Sequence, residues 1–333
     1  MKPTVLVTSY YDARVTDPEL ERLEPMAKVR RVALGRCPTE PELIDLMPGT
    51  SAIVISADPF TERVFDAAPQ LRMIVADGVG VNSVDLEAAT RHGVIVNNAP
   101  FVQDANGEFT IGLILALLRR IVHTDRSVRG GRWNQREQFI GHDLSGQTLG
   151  LLGFGRAAQS VARRSAGFDL QRLAYCRNPD RDAAARLGVQ LVGFDELLAR
   201  SSILSLHTTL TDETRGMIAA PELARLRRGS ILINTSRGAV VDEPALVSAL
   251  QRGHLAAAAI DVFTTEPPPV DHPLLAMDNV IVTAHIASDS AEAFRAVFRG
   301  VVDDILLLLN KRRPAHIVNP AVLDHERCKK LRG

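Results

Sequence analysis

Thr148-Leu149-Gly150-Leu151-Leu152-Gly153-Phe154-Gly155-Arg156-Ala157-Ala158 decides how the chain is read: an apolar run, a glycine turn, then a helical pattern continuing to Ala166. The spacing is G-x-G-x-x-G with alanine in the third place, and strand, turn and helix in that order are what a dinucleotide site requires. Gly153 permits the tight turn, Gly155 lets the backbone approach a pyrophosphate, and the small Ala158 lets helix pack closely on strand. Arg156 and Ala157 open the helix, whose exposed N–H groups would receive the pyrophosphate. The competing reading is a glycine turn that binds nothing.

About 20 residues further on, a NAD site normally carries an acid for the adenosine ribose. The strand expected at residues 172–176 ends instead in Cys176-Arg177-Asn178, without a carboxylate. Arg177 is placed to meet a 2′-phosphate, which favours NADP over NAD. An Arg177 that stacks on adenine or faces solvent leaves NAD open.

Working outward, β-branched runs alternate with helical patterns on both sides of this motif. Residues 5–7, 29–34, 52–55, 73–76 and 94–96 read as strands, with helices at 17–23, 40–47, 62–67 and 83–92 between them. Asn98-Ala99-Pro100 breaks the alternation, a long apolar helix is expected over 105–121, and a polar stretch with the lone Trp133 follows at 127–146. A second series has strands near 148–152, 172–176, 189–192, 203–206, 230–235, 256–260 and 279–283, then a closing helix at 291–310 and a frayed tail at 328–333. Such alternation implies βαβ units, and so an α/β protein of two doubly wound parallel-sheet domains.

Composition agrees with that reading. At roughly 150 residues per domain, 333 residues make about two domains. The 39 Lys and Arg balance the 39 Asp and Glu, with 46% apolar and 23% charged residues. These values exclude a disordered acidic chain and lack the basic footprint of a nucleic-acid binder. Cys37, Cys176 and Cys328 are far apart with no CxxC, which argues against a disulfide framework or zinc site and for a reducing, cytoplasmic setting. Apolar runs such as residues 305–309 stay far below the ~18 residues of a membrane span. The histidines other than His285 show no metal spacing, so no metal is expected. The basic stretch 126–136 reads as a solvated segment rather than a nucleic-acid patch.

Three strands of the second series end in polar groups. The strand at 230–235 leads into Arg237-Gly238, that at 256–260 into Asp261 and then Glu266, and that at 279–283 into His285. Ligands of parallel α/β sheets bind at the carboxyl ends of the strands, so these groups can share one crevice. A 2-oxo acid needs a cation for its carboxylate and carbonyl, and an arginine fork supplies one. It also needs a proton donor titrating near neutrality, which a histidine is, and a neighbouring carboxylate favours the imidazolium. One such residue after one strand is usually structural. Three in matching positions point to chemistry.

At these residues the chain resembles the D-isomer specific 2-hydroxyacid dehydrogenase family. The matches are Gly78-Val79-Gly80-Val81-Asn82-Ser83-Val84-Asp85-Leu86, Glu108, residues 149–158, Leu206-His207-Thr208-Thr209-Leu210-Thr211 and Ile233-Asn234-Thr235-Ser236-Arg237-Gly238 with Val241-Asp242-Glu243. Asp261-Val262-Phe263, Glu266-Pro267, His285-Ile286 and Val318-Asn319-Pro320 complete a set running from about residue 50 to 320. The resemblance implies that His285 is the acid/base, Glu266 its partner and Arg237 the substrate anchor. It implies that Asp261 holds the nicotinamide amide and that Thr235 and Ser236 line the nicotinamide pocket. Cys176, His207, Thr208 and Ser288 are further cofactor candidates, and the backbone N–H groups of Gly78, Val79 and Gly80 would cradle the substrate carboxylate. It also implies a flavodoxin-like substrate domain split between residues 1–98 and 289–333, a Rossmann cofactor domain at 99–288, hinges at 98–100 and 286–290, and a homodimer.

Departures from the family pattern narrow the substrate. Members acting on phosphorylated substrates carry arginine two residues before the first loop glycine, where this chain has Ala76; that argues against 3-phosphoglycerate. Formate-oxidising relatives have glutamine at the position of Glu266. Alanine at 284 replaces the usual proline, and Asp289 is an unusual acid able to bias substrate choice. The expected activity is reduction of a small 2-oxo acid, such as glyoxylate or hydroxypyruvate, with NAD(P)H. A cofactor-sensing corepressor-like protein on the same fold, and phosphite oxidation on the same triad, are the competing readings. Selectivity is expected from loops 10–14 and 75–81.

Overall fold

The computed structural model describes residues 2–9 and 13–332, apart from the side chains of Arg14 and Arg136. Tyr10–Asp12 of the expected selectivity loop therefore lie outside the described residues. The chain divides into two compact units, residues 1–102 with 289–333, and residues 103–288.

The first unit alternates β1 (Thr4–Val7), α1 (Ala13–Leu20), β2 (Lys28–Arg31), α2 (Glu40–Leu46), β3 (Thr50–Ile55), α3 (Glu62–Ala67), β4 (Met73–Ala76), α4 (Leu86–Arg91) and β5 (Ile95–Asn97). Its five strands are parallel in the order β2-β1-β3-β4-β5, a flavodoxin-type arrangement. β4 throughout and β3 from Ala52 to Ile55 are buried apolar runs, as parallel strands covered on both faces must be. α4 begins at Leu86 rather than at residue 83. Asp85 caps it, its carboxylate accepting the Ala88 N–H at 2.9 Å.

The second unit opens with α5 (Gln103–Leu118) and α6 (Ile121–Arg129), followed by β6 (Thr148–Leu152), α7 (Arg156–Arg164), β7 (Gln171–Tyr175), α8 (Arg181–Arg186), β8 (Gln190–Leu191) and α9 (Phe194–Arg200). It continues with β9 (Ile203–Leu206), α10 (Ala220–Arg225), β10 (Ser230–Asn234), α11 (Glu243–Gln251), β11 (Leu255–Ile260) and β12 (Val280–Val282). Seven parallel strands lie in the order β12-β11-β10-β9-β6-β7-β8. From β6 the chain first builds β7 and β8 on one side, then crosses to β9 on the other. The carboxyl ends of β6 and β9 therefore flank the point where ligands enter such sheets. The helix expected over residues 105–121 is two helices, because Arg120 takes a left-handed φ of 52° and the Leu118 carbonyl accepts the N–H of His142 at 2.9 Å.

α12 (Ala291–Leu309) returns the chain to the first unit. Asp304, 2% exposed, anchors it by accepting from Asn97 Nδ2 at 2.9 Å and from the Ala315 N–H at 2.7 Å. Residues 98–101 stay with this unit: the Ala99 N–H donates to the Gly78 carbonyl at 2.9 Å, and the Phe101 ring meets His316 edge-on. Over residues 328–332 the tail is not frayed. Arg313 N–H donates to Arg332 O, Arg332 N–H donates to Lys311 O, and Cys328 is buried. No helix among the described residues is long and apolar enough to cross a membrane.

Candidate active site

The glycine turn of the second unit has the geometry that a bound phosphate would need. Gly153 has φ 92°, and a Cβ there would lie 2.6 Å from the His207 carbonyl oxygen, so glycine is required by conformation and by contact. Gly155 is the N-cap of α7; no side chain caps that helix end, and the space beside Gly155 is open. Arg156 is exposed, Ala157 half-buried and Ala158 fully buried against the strand. An uncapped helix N-terminus reached through a bare glycine fits a pyrophosphate, so the residues present fit a dinucleotide.

At the end of β7, Cys176 is half-buried, and burial raises its thiol pKa. Arg177 is exposed and ion-paired with Glu213, an acid that sequence reading missed because the two are joined only by the fold. His207 contributes its backbone to the turn. Its ring is held by Ser205 Oγ at 2.8 Å, and desolvation pushes its pKa down to about 4, which leaves it neutral. The Thr208 hydroxyl is turned to the Thr209 carbonyl.

Beyond β10, Asn234 ties the next turn together: its Oδ1 accepts the Ser236 N–H and hydroxyl at 3.0 and 2.8 Å, and its Nδ2 donates to Arg237 O at 3.0 Å. From α5, Asn106 Nδ2 donates to Thr235 O at 3.3 Å, and Thr110 bonds the Thr235 hydroxyl at 3.2 Å. A Cβ on Gly238 would collide with the Phe263 carbonyl, so Gly238 lets the Arg237 turn lie against the backbone that leads to Glu266. Glu266 accepts the Phe263 N–H at 3.0 Å with one oxygen and meets His285 Nδ1 at 2.7 Å with the other.

The titration of these groups follows from that geometry. His285 is raised, chiefly by its hydrogen bond to Glu266, against partial burial and the Arg237 charge. Burial acts to raise Glu266, but His285, the Phe263 N–H and Arg237 together hold it below the ordinary carboxylate range. Burial lowers Arg237, and Glu266 partly restores it. Arg237, Glu266 and His285 thus act on one another. His285 Nε2 bonds no partner among the described residues.

Asp261 has a larger structural part than expected. It is 1% exposed, and its Oδ1 accepts Thr283 Oγ1 at 2.6 Å and the Ile286 N–H at 2.9 Å, while Oδ2 accepts the Ala287 N–H at 2.9 Å. The Asp261 carbonyl takes the His285 N–H at 2.8 Å. His285 is held here at φ 57°, a conformation uncommon for a residue with a side chain. Three of the roughly four acceptor positions on the carboxylate are used, which leaves one on Oδ2. Ser288 ends this unit, half-buried.

The loop 78–80 belongs to the first unit. Its carbonyls are engaged, Gly78 O by Ala99 N–H and Val79 O by Asn98 Nδ2, each at 2.9 Å. Among the described residues nothing accepts the N–H groups of Gly78, Val79 or Gly80, which leaves three donors for an anion. Glu108 lies elsewhere, paired with Arg164 on the surface. The fold also brings His92 within 2.8 Å of Glu62 and 3.7 Å of Asp66, a grouping invisible in the spacing, on an exposed face where Arg91 also pairs with Glu62.

Comparison with known proteins gives a consistent answer. A sequence model of the NAD binding domain of D-isomer specific 2-hydroxyacid dehydrogenases matches residues 111–287. A glyoxylate reductase of Korarchaeum cryptofilum is 36% identical over 97% of this chain and 98% of that protein. A D-3-phosphoglycerate dehydrogenase of Archaeoglobus fulgidus is 40% identical over 80% of this chain and 50% of that protein. The crystal structure of the TT0316 protein from Thermus thermophilus superposes with a TM-score of 0.87 at 36% identity, over 95% of this chain and 99% of that one. The chain belongs to the D-isomer specific 2-hydroxyacid dehydrogenase family.

Proposed function

We propose that the protein reduces a small 2-oxo acid, such as glyoxylate or hydroxypyruvate, to the D-2-hydroxy acid, with NADPH preferred to NADH. The observation that carries this reading is the 2.7 Å His285–Glu266 pair beside the half-buried Arg237. Bound at the glycine turn, the nicotinamide cofactor supplies a hydride to the carbonyl carbon. Arg237 holds the substrate carboxylate and polarises the carbonyl with its planar fork. Protonated His285 delivers the proton to the carbonyl oxygen from Nε2. Glu266 keeps Nδ1 protonated, orients the ring and stabilises the imidazolium. The N–H groups of Gly78, Val79 and Gly80 cradle the substrate carboxylate.

For the cofactor, Gly153, Gly155, Arg156 and Ala157 hold the pyrophosphate. Thr235 and Ser236 line the nicotinamide pocket, with Cys176, His207, Thr208 and Ser288 along the groove. Asp261 offers its remaining lone pair to the carboxamide. Arg177 takes the 2′-phosphate after leaving Glu213. Ala76, 1% exposed at the end of β4, supports a substrate without a phosphate. Three free cysteines suit a reducing cytoplasm.

The same chain would work as a homodimer. Ile121, Val128, Trp133 and Ile140 are large apolar side chains 41–77% exposed within one stretch of the second unit, a density that suits a partner surface.

Consumption of NADPH and NADH with glyoxylate and hydroxypyruvate tests the reading. Wild type is expected to turn over at least one substrate, and His285→Ala to lose about 10²–10⁴-fold in kcat. Equal activity of the two proteins on every substrate would remove His285 from the chemistry.

A further inference from the structure

Behind the loop 78–80, the first unit buries two carboxyl groups on neighbouring strands. β3 and β4 pair with Ile55 opposite Ala76, so Asp58 and Asp77 follow at the same edge of the sheet. Asp58 is 0% and Asp77 5% exposed. Asp77 precedes Gly78 directly, and its N–H is fixed to the Ile55 carbonyl at 2.9 Å.

Burial opposes the charge of these acids more than the few donors around them support it. Ser56 Oγ donates to Asp77 at 2.6 Å and the Thr8 hydroxyl donates to Asp58. Asp58 Oδ1 is buried with no hydrogen-bond partner among the described residues. Among the described residues, the chain just after β1 brings the hydroxyls of Thr8 and Ser9 to this edge. The segment after β2 brings the Cys37 thiol beside Asp58, and the segment before α12 brings Asp289, which acts on Asp77 through space. Neither Asp58 nor Asp77 has an ion-pair partner among the described residues. Burial, together with the charges of Asp58 and Asp289, outweighs the hydroxyl bonds and pushes Asp77 up to about 7. Burial likewise pushes Asp58 up to about 6.

We propose that Asp77 is a positioning residue for the substrate carboxylate, making the grip of the loop 78–80 on an anion depend on the proton that Asp77 carries. Neutral, Asp77 leaves the three N–H dipoles unopposed. Ionised, it sets a negative charge one residue away from them, and the loop holds the same anion less well. The inference rests on the function proposed above, since it concerns how that substrate is held.

The test compares wild type with Asp77→Asn, using glyoxylate as substrate between about pH 6 and pH 8. The wild-type KM is expected to rise up to about tenfold over that interval, the limit for one ionisation near its middle. In Asp77→Asn the KM stays near its low-pH value, while kcat keeps the pH dependence that His285 imposes on both proteins. A purely structural Asp77 would shift both profiles alike. Coincident KM profiles in two active enzymes overturn the inference alone, whereas no reduction of glyoxylate at any pH defeats the proposed function and the inference with it.

Thermal melting supplies an independent readout of the same charge. The folded-state pKa of Asp77 lies above its unfolded value, so folding stability falls as pH rises from the unfolded value through the folded one. Asp77→Asn has no such loss, so its Tm advantage over wild type widens between about pH 4 and pH 8. A constant difference overturns the proposal. Asp77→Ser replaces Asp77→Asn if the amide prevents folding.

Discussion

His285 and Glu266 form a pair whose pH dependence has a definite sign. Because the folded-state pKa of His285 is raised by Glu266, the imidazolium that the proposed reduction needs persists above the ordinary histidine range and is lost as pH rises through that raised value. Glu266→Gln removes the charge and the strongest acceptor. The falling limb of the kcat/KM profile for reduction is therefore expected to move to lower pH, with the largest loss on the alkaline side. A limb that stays in place would mean that Glu266 does not set this titration. Cofactor choice is a second question at this scale. Arg177→Ala should raise the KM for NADPH while leaving that for NADH nearly unchanged, and Glu213→Ala should favour NADPH by freeing the guanidinium. If both variants leave the NADPH-to-NADH ratio untouched, Arg177 does not read the 2′-phosphate. That Arg237, Glu266 and His285 come together was legible because each follows its own strand at the edge where parallel sheets bind ligands. Glu213, and the pairing of Asp58 with Asp77, were not. Both depend on register and on loop paths that a linear reading does not contain.

At the scale of elements, the turn after β12 is the most exacting piece. Asp261 holds it through three hydrogen bonds from Thr283, Ile286 and Ala287, and so holds His285 in a left-handed backbone. Asp261→Asn sets an NH2 group against at least one of those donors. We expect a loss of about 1–3 kcal/mol in stability, the scale of one unsatisfied buried group, and a fall in kcat that exceeds any change in the KM for cofactor. A variant with normal kcat and raised cofactor KM would instead make Asp261 a cofactor ligand first. Gly238→Ala is expected to abolish activity, because the methyl group must displace the Phe263 backbone and with it Glu266. The inner strands of both sheets were readable from apolar runs, since strands covered on both faces leave little choice of residue. Element ends were less so. α6 was missed because its start is set by the left-handed Arg120 and by His142, 22 residues further along, bonding the Leu118 carbonyl. The tail escaped for the same reason, its backbone partners lying in Lys311 and Arg313.

For the whole molecule, the exposed apolar stretch from Ile121 to Ile140 gives the prediction. Sedimentation is expected to yield about twice the 36.2 kDa of the chain, and Trp133→Asp with Ile140→Asp to return the monomer mass with each unit still folded. Wild type sedimenting as a monomer would leave that surface without a second copy. The division of the chain also bears on the order in which the protein acquires structure during synthesis. The first unit needs α12: Asp304 closes on Asn97, and Asp303 pairs with Arg22. Residues 103–288 must leave the ribosome before that helix exists. At about 5–20 residues per second, the sheet of the first unit waits about 10–40 seconds for the helix that completes it. The inserted unit meanwhile has all of its own strands and can close first. On a translating ribosome, protease resistance is thus expected to appear in the middle of the sequence before it appears at the amino-terminal end.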